Sequence, residues 1–132
     1  MNSFEELEVW KSSRILRNDI WKLTRQFPKE ELYRLSDQLI RASRSVSANI
    51  AEGFGRFHFQ ENIQFCRQAR GSLFEILEHL SCAFDIETIN QEDYDNIRLQ
   101  TLNCVKILNG YIAYLKKAKL SEIPHQSKNP IT

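Results

Sequence analysis

Residues that interrupt helices are scarce in this 132-residue chain, which has 4 glycines and 3 prolines. Pro124 and Pro130 lie close to the C-terminus, so Pro28 is the only proline in the rest of the chain. Glycine and proline are the residues that most often end a helix or turn the chain. Their scarcity therefore predicts a small number of long helices.

Cysteine pairs and long apolar runs are also absent. The three cysteines, Cys66, Cys82 and Cys104, are odd in number and form no Cys-x-x-Cys pair, which argues against a zinc site or a disulfide framework. No apolar run approaches the roughly 18 residues of a membrane-spanning helix. The first residues contain neither the basic nor the apolar segment of a signal peptide. We therefore expect a cytoplasmic protein of bacterial type.

A strong excess of either charge is missing as well. The formal net charge is +1, and charges of both signs are mixed along the chain. Residues 1–70 contain 12 Lys and Arg against 9 Asp and Glu, whereas residues 71–132 contain 6 against 8. A nucleic-acid-binding domain is usually strongly basic, so composition alone does not indicate one.

Apolar residues recur at steps of three and four in four segments, the spacing of a buried helical stripe. Ser3 and Glu6 have the spacing of a capping box before the first segment, and Pro28 ends that segment. The second segment begins within residues 29–31, and Asn90 is the expected N-cap of the fourth. Trp10 and Trp21 widen the buried face of the first segment, whereas Lys116, Lys117 and Lys119 end the fourth, where cations suit the helix dipole.

These segments predict an all-α fold, an antiparallel up-down-up-down four-helix bundle over residues 1–119. Residues 120–132 contain two prolines and no apolar period, so we expect a flexible C-terminal tail. Gly71 lies in the middle of the third segment, where it costs about 1 kcal/mol of helix propensity relative to alanine. We expect close approach of another backbone to offset that cost.

No pattern of an all-α enzyme is present. Carboxylate-bridged di-metal bundles use Glu-x-x-His on two helices, whereas Glu75 and His79 are four residues apart. Glu75 and Glu78 resemble one acidic pair of the all-α nucleotide pyrophosphohydrolases, but only Glu52 is available for a second pair. We therefore predict no catalytic residue, no metal and no cofactor. A metal bound at Glu75 and His79 would instead indicate an enzyme.

Arginines recur on the second and third segments. Pairing residues at equal distances from the link near Phe57 places Arg44 level with Arg70, which predicts one basic patch able to contact several phosphates. The alternative is that these arginines are solvated, or pair with Asp37, Glu61, Glu75 or acids of a neighbouring subunit. The candidate nucleic-acid-binding residues are Arg41, Arg44, Arg56, Arg67 and Arg70.

Four polar residues lie among the apolar positions of the same two segments: Asn49, Glu52, Ser72 and Glu75. A buried polar group without a partner costs about 1–3 kcal/mol, so we expect these side chains to bond one another. Such a network would fix the register of two helices, as a buried asparagine does in coiled coils. We interpret this set as structural.

Several motifs resemble one known family. They are Phe4-Glu5-Glu6-Leu7-Glu8-Val9-Trp10, Leu23-Thr24-x-x-Phe27-Pro28, Asn49-Ile50-Ala51-Glu52-Gly53-x-Gly55-Arg56 and Gly71-Ser72-Leu73-x-Glu75. Over residues 4–118 the chain resembles the 23S rRNA-intervening sequence proteins. It departs from the family at Gln68, where an apolar residue is usual, and at residues 85–89, where the link usually contains glycine.

The resemblance implies a bacterial, cytoplasmic four-helix bundle that assembles as a homo-oligomer, typically a pentamer, with no established enzymatic activity. A similar bundle, the accessory protein of diversity-generating retroelements, binds nucleic acid and a reverse transcriptase. We therefore expect a non-enzymatic oligomer that binds RNA or a ribonucleoprotein partner through an arginine-bearing face. The alternative is a structural or protein-interaction ring with no nucleic-acid role.

Overall fold

The computed structural model describes residues 3–121, and the predicted helical bundle is confirmed. Its four long helices are α1 (Glu8–Thr24), α2 (Asp37–Phe54), α3 (Phe59–Asp85) and α4 (Gln91–Ser121). Each helix packs against its two neighbours, α1 against α2 and α4, and α3 against α2 and α4. No strand occurs in the described residues. Of the predicted tail over residues 120–132, Leu120 and Ser121 belong to α4 instead, because the helix continues past the predicted end of the bundle, and residues 122–132 lie outside the described residues.

The capping box is formed, but it caps a short turn that precedes α1. Ser3 Oγ accepts the Glu5 N–H at 3.1 Å, and the Glu6 carboxylate accepts the Ser3 N–H at 3.2 Å. These bonds cap a 3-10 helix over Phe4–Glu6. Leu7 then adopts an extended conformation and is buried, so α1 starts at Glu8. The break places the first turn against α1.

The second segment becomes regular later than the sequence indicates. A 3-10 helix over Lys29–Glu31 starts where predicted, directly after Pro28. A π-helix over Leu32–Ser36 follows, and α2 begins only at Asp37.

Within the described residues, no helix combines the length and the apolar character that a membrane crossing requires.

The core consists of the apolar stripes predicted for each helix. Fully or almost fully buried side chains from all four helices include Leu16, Ile20, Leu39, Val46, Ile50, Ile63, Leu73, Ile76, Leu80, Leu108 and Leu115. On α4 the stripe also contains Thr101, whose hydroxyl donates to the Ile97 carbonyl at 2.7 Å. Because that bond satisfies the hydroxyl, the threonine is accommodated among apolar neighbours.

Close backbone approach occurs at Gly53 of α2 and not at Gly71 of α3. A Cβ built on Gly53 would lie 2.6 Å from Asn62 Oδ1 and 3.0 Å from Phe65 Cβ. A Cβ built on Gly71 would meet no atom within 4 Å, and Gly71 is exposed. The prediction of close packing at Gly71 is therefore wrong, because that residue lies on the outward side of α3.

The link from α3 to α4 contains the one non-glycine residue with positive φ among residues 3–121. Glu87 has φ 63°, in the left-handed region that favours glycine. Its neighbour Thr88 donates its N–H to the Ala83 carbonyl at 2.9 Å, which closes the end of α3. The predicted N-cap of α4 is confirmed, because Asn90 Oδ1 accepts the Asp93 N–H at 2.8 Å.

Candidate nucleic-acid interface

The predicted arginines do not form one patch. The Arg44 guanidinium lies 5.9 Å from the centre of the Trp21 ring, so it faces α1. Arg70 Nη1 donates to Asn109 Oδ1 at 2.7 Å, so it faces α4. The prediction of a joint patch is therefore wrong.

Equal distance from the link gives only the height of a residue, whereas each step along a helix rotates the side chain by about 100°. Ser45 of α2 faces α3, where its Oγ accepts from Ser72 Oγ at 2.9 Å. Arg44 comes one residue earlier, so it is rotated away from α3 and towards α1. The predicted pairing is also displaced along α3 by about one turn. Equal distance from Phe57 would place Ser45 opposite Ala69, whereas Ser45 bonds Ser72. Height alone therefore could not show which arginines share a surface.

Two other candidate arginines are paired with acids of the same chain. Arg41 Nη1 lies 3.5 Å from the Asp37 carboxylate, and Arg56 Nη2 lies 2.8 Å from that of Glu52. Arg56 also lies 3.9 Å from Glu61. These pairs are exposed, and such pairs contribute at most about 1 kcal/mol to stability. The alternative of pairing with Asp37 and Glu61 therefore applies to Arg41 and Arg56.

Half of the predicted polar network is formed, through a serine that the prediction did not include. Asn49 Nδ2 donates to the Ser45 carbonyl at 2.9 Å and to Ser45 Oγ at 3.0 Å, and Ser72 bonds the same hydroxyl. Glu52 and Glu75 are exposed and take no part in it. The prediction is wrong for these two carboxylates, which remain at the surface where water hydrates their charge.

Asn62 is the buried polar residue that the sequence reasoning missed. Its side chain is fully buried, donates to the Tyr111 hydroxyl at 3.1 Å and contacts Gly53. Burial raises the pKa of the nearby Cys66 thiol to about 12, and burial also raises the pKa of Tyr111. Both groups therefore stay protonated at neutral pH, as structural groups do. The available signal was the spacing of Asn62 between Phe59 and Cys66 on one apolar stripe.

Cations collect on the α3–α4 side of the bundle. Arg67, Lys116 and Lys119 line a groove of about 290 Å³ together with Ile63 and Leu120. Arg70 lies one turn further along α3 than Arg67, bonded to α4 as described above. We call the surface formed by Arg67, Arg70, Lys116 and Lys119 the basic hairpin face. None of these four residues forms an ion pair with a carboxylate in residues 3–121.

Charge is segregated along the α3–α4 hairpin. Residues 62–74 and 96–121 contain no Asp or Glu and seven cations: Arg67, Arg70, Arg98, Lys106, Lys116, Lys117 and Lys119. Residues 75–95 contain no Lys or Arg and seven acids: Glu75, Glu78, Asp85, Glu87, Glu92, Asp93 and Asp95. Counting charges on either side of residue 70 hid this pattern. Residues 71–132, with 6 Lys and Arg and 8 Asp and Glu, contain both the acidic segment and most of the basic one.

A second cationic surface lies between α1 and α2. Arg17 lies 5.5 Å from the Trp10 ring centre, and its Nη1 donates to Ser47 Oγ at 2.8 Å. Arg17, Arg44 and Ser47 line a groove of about 420 Å³. The remaining lining residues are Phe4, Trp10, Ala48 and Ala51. We call this the Arg–Trp groove.

Glu75 and His79, the candidate enzyme residues of the sequence, do not form a catalytic centre with other described residues. His79 Nε2 lies 3.6 Å from Glu75 Oε2, beyond hydrogen-bond distance. Across residues 3–121, no three His, Cys, Asp or Glu side chains are grouped closely enough to hold a metal ion. The charged groups that the described residues bring together therefore lie on two surfaces, the basic hairpin face and the Arg–Trp groove.

Comparisons with known proteins agree with the fold and the motifs. The chain is similar to a solved structure of a protein of unknown function from the S23 ribosomal protein family of Bacteroides thetaiotaomicron, with 24% identity and a TM-score of 0.75. The match covers 80% of this chain and 95% of that one. A comparison with curated proteins gave no match. The family model of the 23S rRNA-intervening sequence protein matches residues 5–110, and the chain therefore belongs to that family.

Proposed function

We propose that this protein is a non-enzymatic RNA-binding bundle that contacts the phosphate backbone through the basic hairpin face. The observation that carries the proposal is the charge segregation of the hairpin, which gathers seven cations and no acid in residues 62–74 and 96–121. Arg67 and Arg70, two of the residues predicted from sequence, lie on this face. Lys116 and Lys119 complete it from α4.

A polyanion such as RNA binds best to cations that are not already paired with a carboxylate of the protein. Arg67, Lys116 and Lys119 line one groove without a carboxylate, so a phosphate placed there meets no like charge. Neutralising phosphates releases condensed counterions, and each contact lowers the slope of log K against log salt by about 0.7–0.9. Four contacts therefore predict a slope of about −3.

We further propose that the protein assembles as a homo-oligomer, a pentamer in the family's usual form. The acidic residues 75–95 of one copy can pair with cations of the next copy that lie outside the basic hairpin face, such as Arg98 and Lys106. Phe74 and Ile86, at either end of this acidic part of α3, are each more than half exposed and would add apolar contact area. A heterologous contact of this kind forms a ring when the rotation between successive copies closes, which is the geometry that a pentamer requires.

Pairing of the acidic residues 75–95 with the basic hairpin face itself would instead give the second candidate function, a protein-interaction ring with no nucleic-acid role. In that case the acids of a neighbouring subunit cover Arg67 and Arg70, and no cationic surface is left for RNA. The two candidates differ in what happens when the assembled protein meets RNA. Binding without loss of the oligomer supports the first, and absence of binding by an intact oligomer supports the second.

The test is a titration of a fluorescently labelled RNA hairpin with the full chain at two salt concentrations. The variant R67A/R70A/K116A/K119A should bind about 100-fold more weakly than the parent, because four phosphate contacts are lost. The matched control R14A/R25A/R34A/R41A removes the same number of positive charges from α1, α2 and their link. The proposal fails if the parent does not bind, or if both variants lose affinity equally. Sedimentation of each protein reports the oligomer separately.

A further inference from the structure

We propose that the Arg–Trp groove is a second ligand site, and that it binds a nucleoside phosphate. It lies between α1 and α2, whereas the basic hairpin face lies on α3 and α4, so the site does not depend on the proposed RNA interface. The groove combines two guanidinium groups with an aromatic wall. A nucleoside phosphate fits both, because its phosphate needs cationic donors and its base needs an apolar surface.

Both guanidinium groups retain unused donors, and that of Arg17 is also fixed by a hydrogen bond. Arg17 rests on the Trp10 ring and donates one N–H to Ser47 Oγ. Arg44 rests on the Trp21 ring and donates to no acceptor in the part of the chain that the structure describes. Neither forms an ion pair within residues 3–121. Arginine forks bind phosphate oxygens bidentately, and side chains that are already ordered lose less entropy when they do so.

The shape of the groove accommodates a ring as well as an anion. Ala48 and Ala51 present only small side chains, so a ligand can approach the surface of α2 closely. Phe4 and Trp10 supply the aromatic wall, with their ring centres 5.2 Å apart in an edge-to-face arrangement. The volume of about 420 Å³ lies within the range of small-molecule sites.

The lining also excludes one class of ligand. No Asp or Glu lines the groove, so it offers no partner to a cation. A phosphate satisfies Arg17 and Arg44 together, and a base or other planar ring covers the apolar wall. Such a ligand can be a free nucleotide or the terminal nucleotide of an RNA strand, since both present a ring and a phosphate.

The chain offers a matched control for this site. Arg14 also rests on the Trp10 ring, at 5.9 Å, but it lines a different cavity, together with Lys11 and Ile15. R14A therefore removes an arginine from the same tryptophan without removing a group from the groove. R17A and R44A each remove one guanidinium from it, and R44A breaks no hydrogen bond of the described residues.

The test is calorimetric titration of the full chain with AMP, adenosine, inorganic phosphate, and an oligoribonucleotide with or without a 5′ phosphate. We expect AMP or the 5′-phosphorylated strand to bind, each more tightly than adenosine or the strand without its phosphate. R17A and R44A should each weaken that binding about tenfold or more, and R14A less than twofold, since hydrogen bonds to charged groups are the stronger ones. Tighter binding of AMP identifies a free nucleotide, and tighter binding of the strand identifies an RNA end.

Three results would overturn the proposal: no binding of either phosphorylated ligand, equal binding of adenosine and AMP, or an equal loss with R14A. Circular dichroism of R17A and R44A confirms that a loss does not come from unfolding. If R17A alone unfolds, R44A still decides the question, because its side chain is exposed. Loss of RNA-hairpin binding in the α3–α4 variant leaves these results unchanged, so failure of the two proposals can be told apart.

Discussion

Gly53, near the end of α2, and Gly71, in the middle of α3, lie in opposite environments. Gly53 of α2 faces α3 at a distance that leaves no room for a Cβ, whereas Gly71 of α3 faces open solvent. The first glycine brings two helices together around Asn62, and the second merely weakens the helix that contains it. The comparison teaches that the α2–α3 contact depends on the absence of a side chain at Gly53, whereas a side chain at Gly71 would meet no neighbouring atom.

The largest expected effect is at the tight contact. Gly53→Ala places a methyl group 2.6 Å from Asn62 Oδ1 and 3.2 Å from the Asn62 carbonyl, so the helices must separate. Overpacking of a core costs about 1–3 kcal/mol, and we expect about 3 kcal/mol here because backbone has to move. Urea denaturation of the parent and the variant measures the difference. An unchanged midpoint would show that the contact is not tight.

A substitution of Asn62 tests the same contact between α2 and α3 from the side of α3. Asn62→Ala removes the bond to the Tyr111 hydroxyl and leaves a small cavity beside Gly53. We expect a loss of about 2 kcal/mol, the cost of an unpaired, partly buried hydroxyl together with lost packing around the buried Asn62 position. The double variant with Tyr111→Phe should recover part of this loss, since no hydroxyl then remains unpaired. No recovery would contradict the role assigned to the bond.

Gly71 provides the opposite prediction. Gly71→Ala adds a methyl group that meets no atom within 4 Å, so only helix propensity changes. We expect a gain of about 1 kcal/mol in the free energy of unfolding of the isolated chain. Thermal denaturation at low protein concentration measures it. A loss of stability that appears only at high concentration would instead reveal a subunit contact at this surface.

The smallest effect is expected at the α3–α4 link. Glu87 has a left-handed conformation, which costs a non-glycine residue about 1–2 kcal/mol. Glu87→Gly removes that cost but increases the flexibility of the unfolded chain, so the net gain should be about 0.5 kcal/mol. Glu87→Ala retains the conformation and serves as the control. A more stable alanine variant would contradict the assignment of strain.

Local sequence chemistry predicted the four helices, the capping box that precedes the first helix and the N-cap of the fourth. The apolar period, the Ser3 and Glu6 spacing and the position of Asn90 depend on residues within one or two turns, where spacing is sufficient. It did not predict the outward orientation of Gly71, because glycine costs the same propensity whether it is packed or exposed.

The site was less predictable, because it depends on rotation about each helix. Spacing from a link gave Arg44 and Arg70 a similar height but could not show that they face different neighbours. The segregation of charge within residues 62–121 is visible in the sequence, yet its meaning depends on which parts of α3 and α4 lie side by side. The involvement of Lys116 and Lys119 followed only from the packing of α3 on α4.

The central claim is that the basic hairpin face binds RNA through its phosphates. The most direct measurement is the slope of log K against log salt for an RNA hairpin, compared between R67A/R70A/K116A/K119A and R14A/R25A/R34A/R41A. We predict a slope of about −3 for the parent and the control, and a slope close to zero for the hairpin-face variant. The same slope in all three proteins would contradict the account.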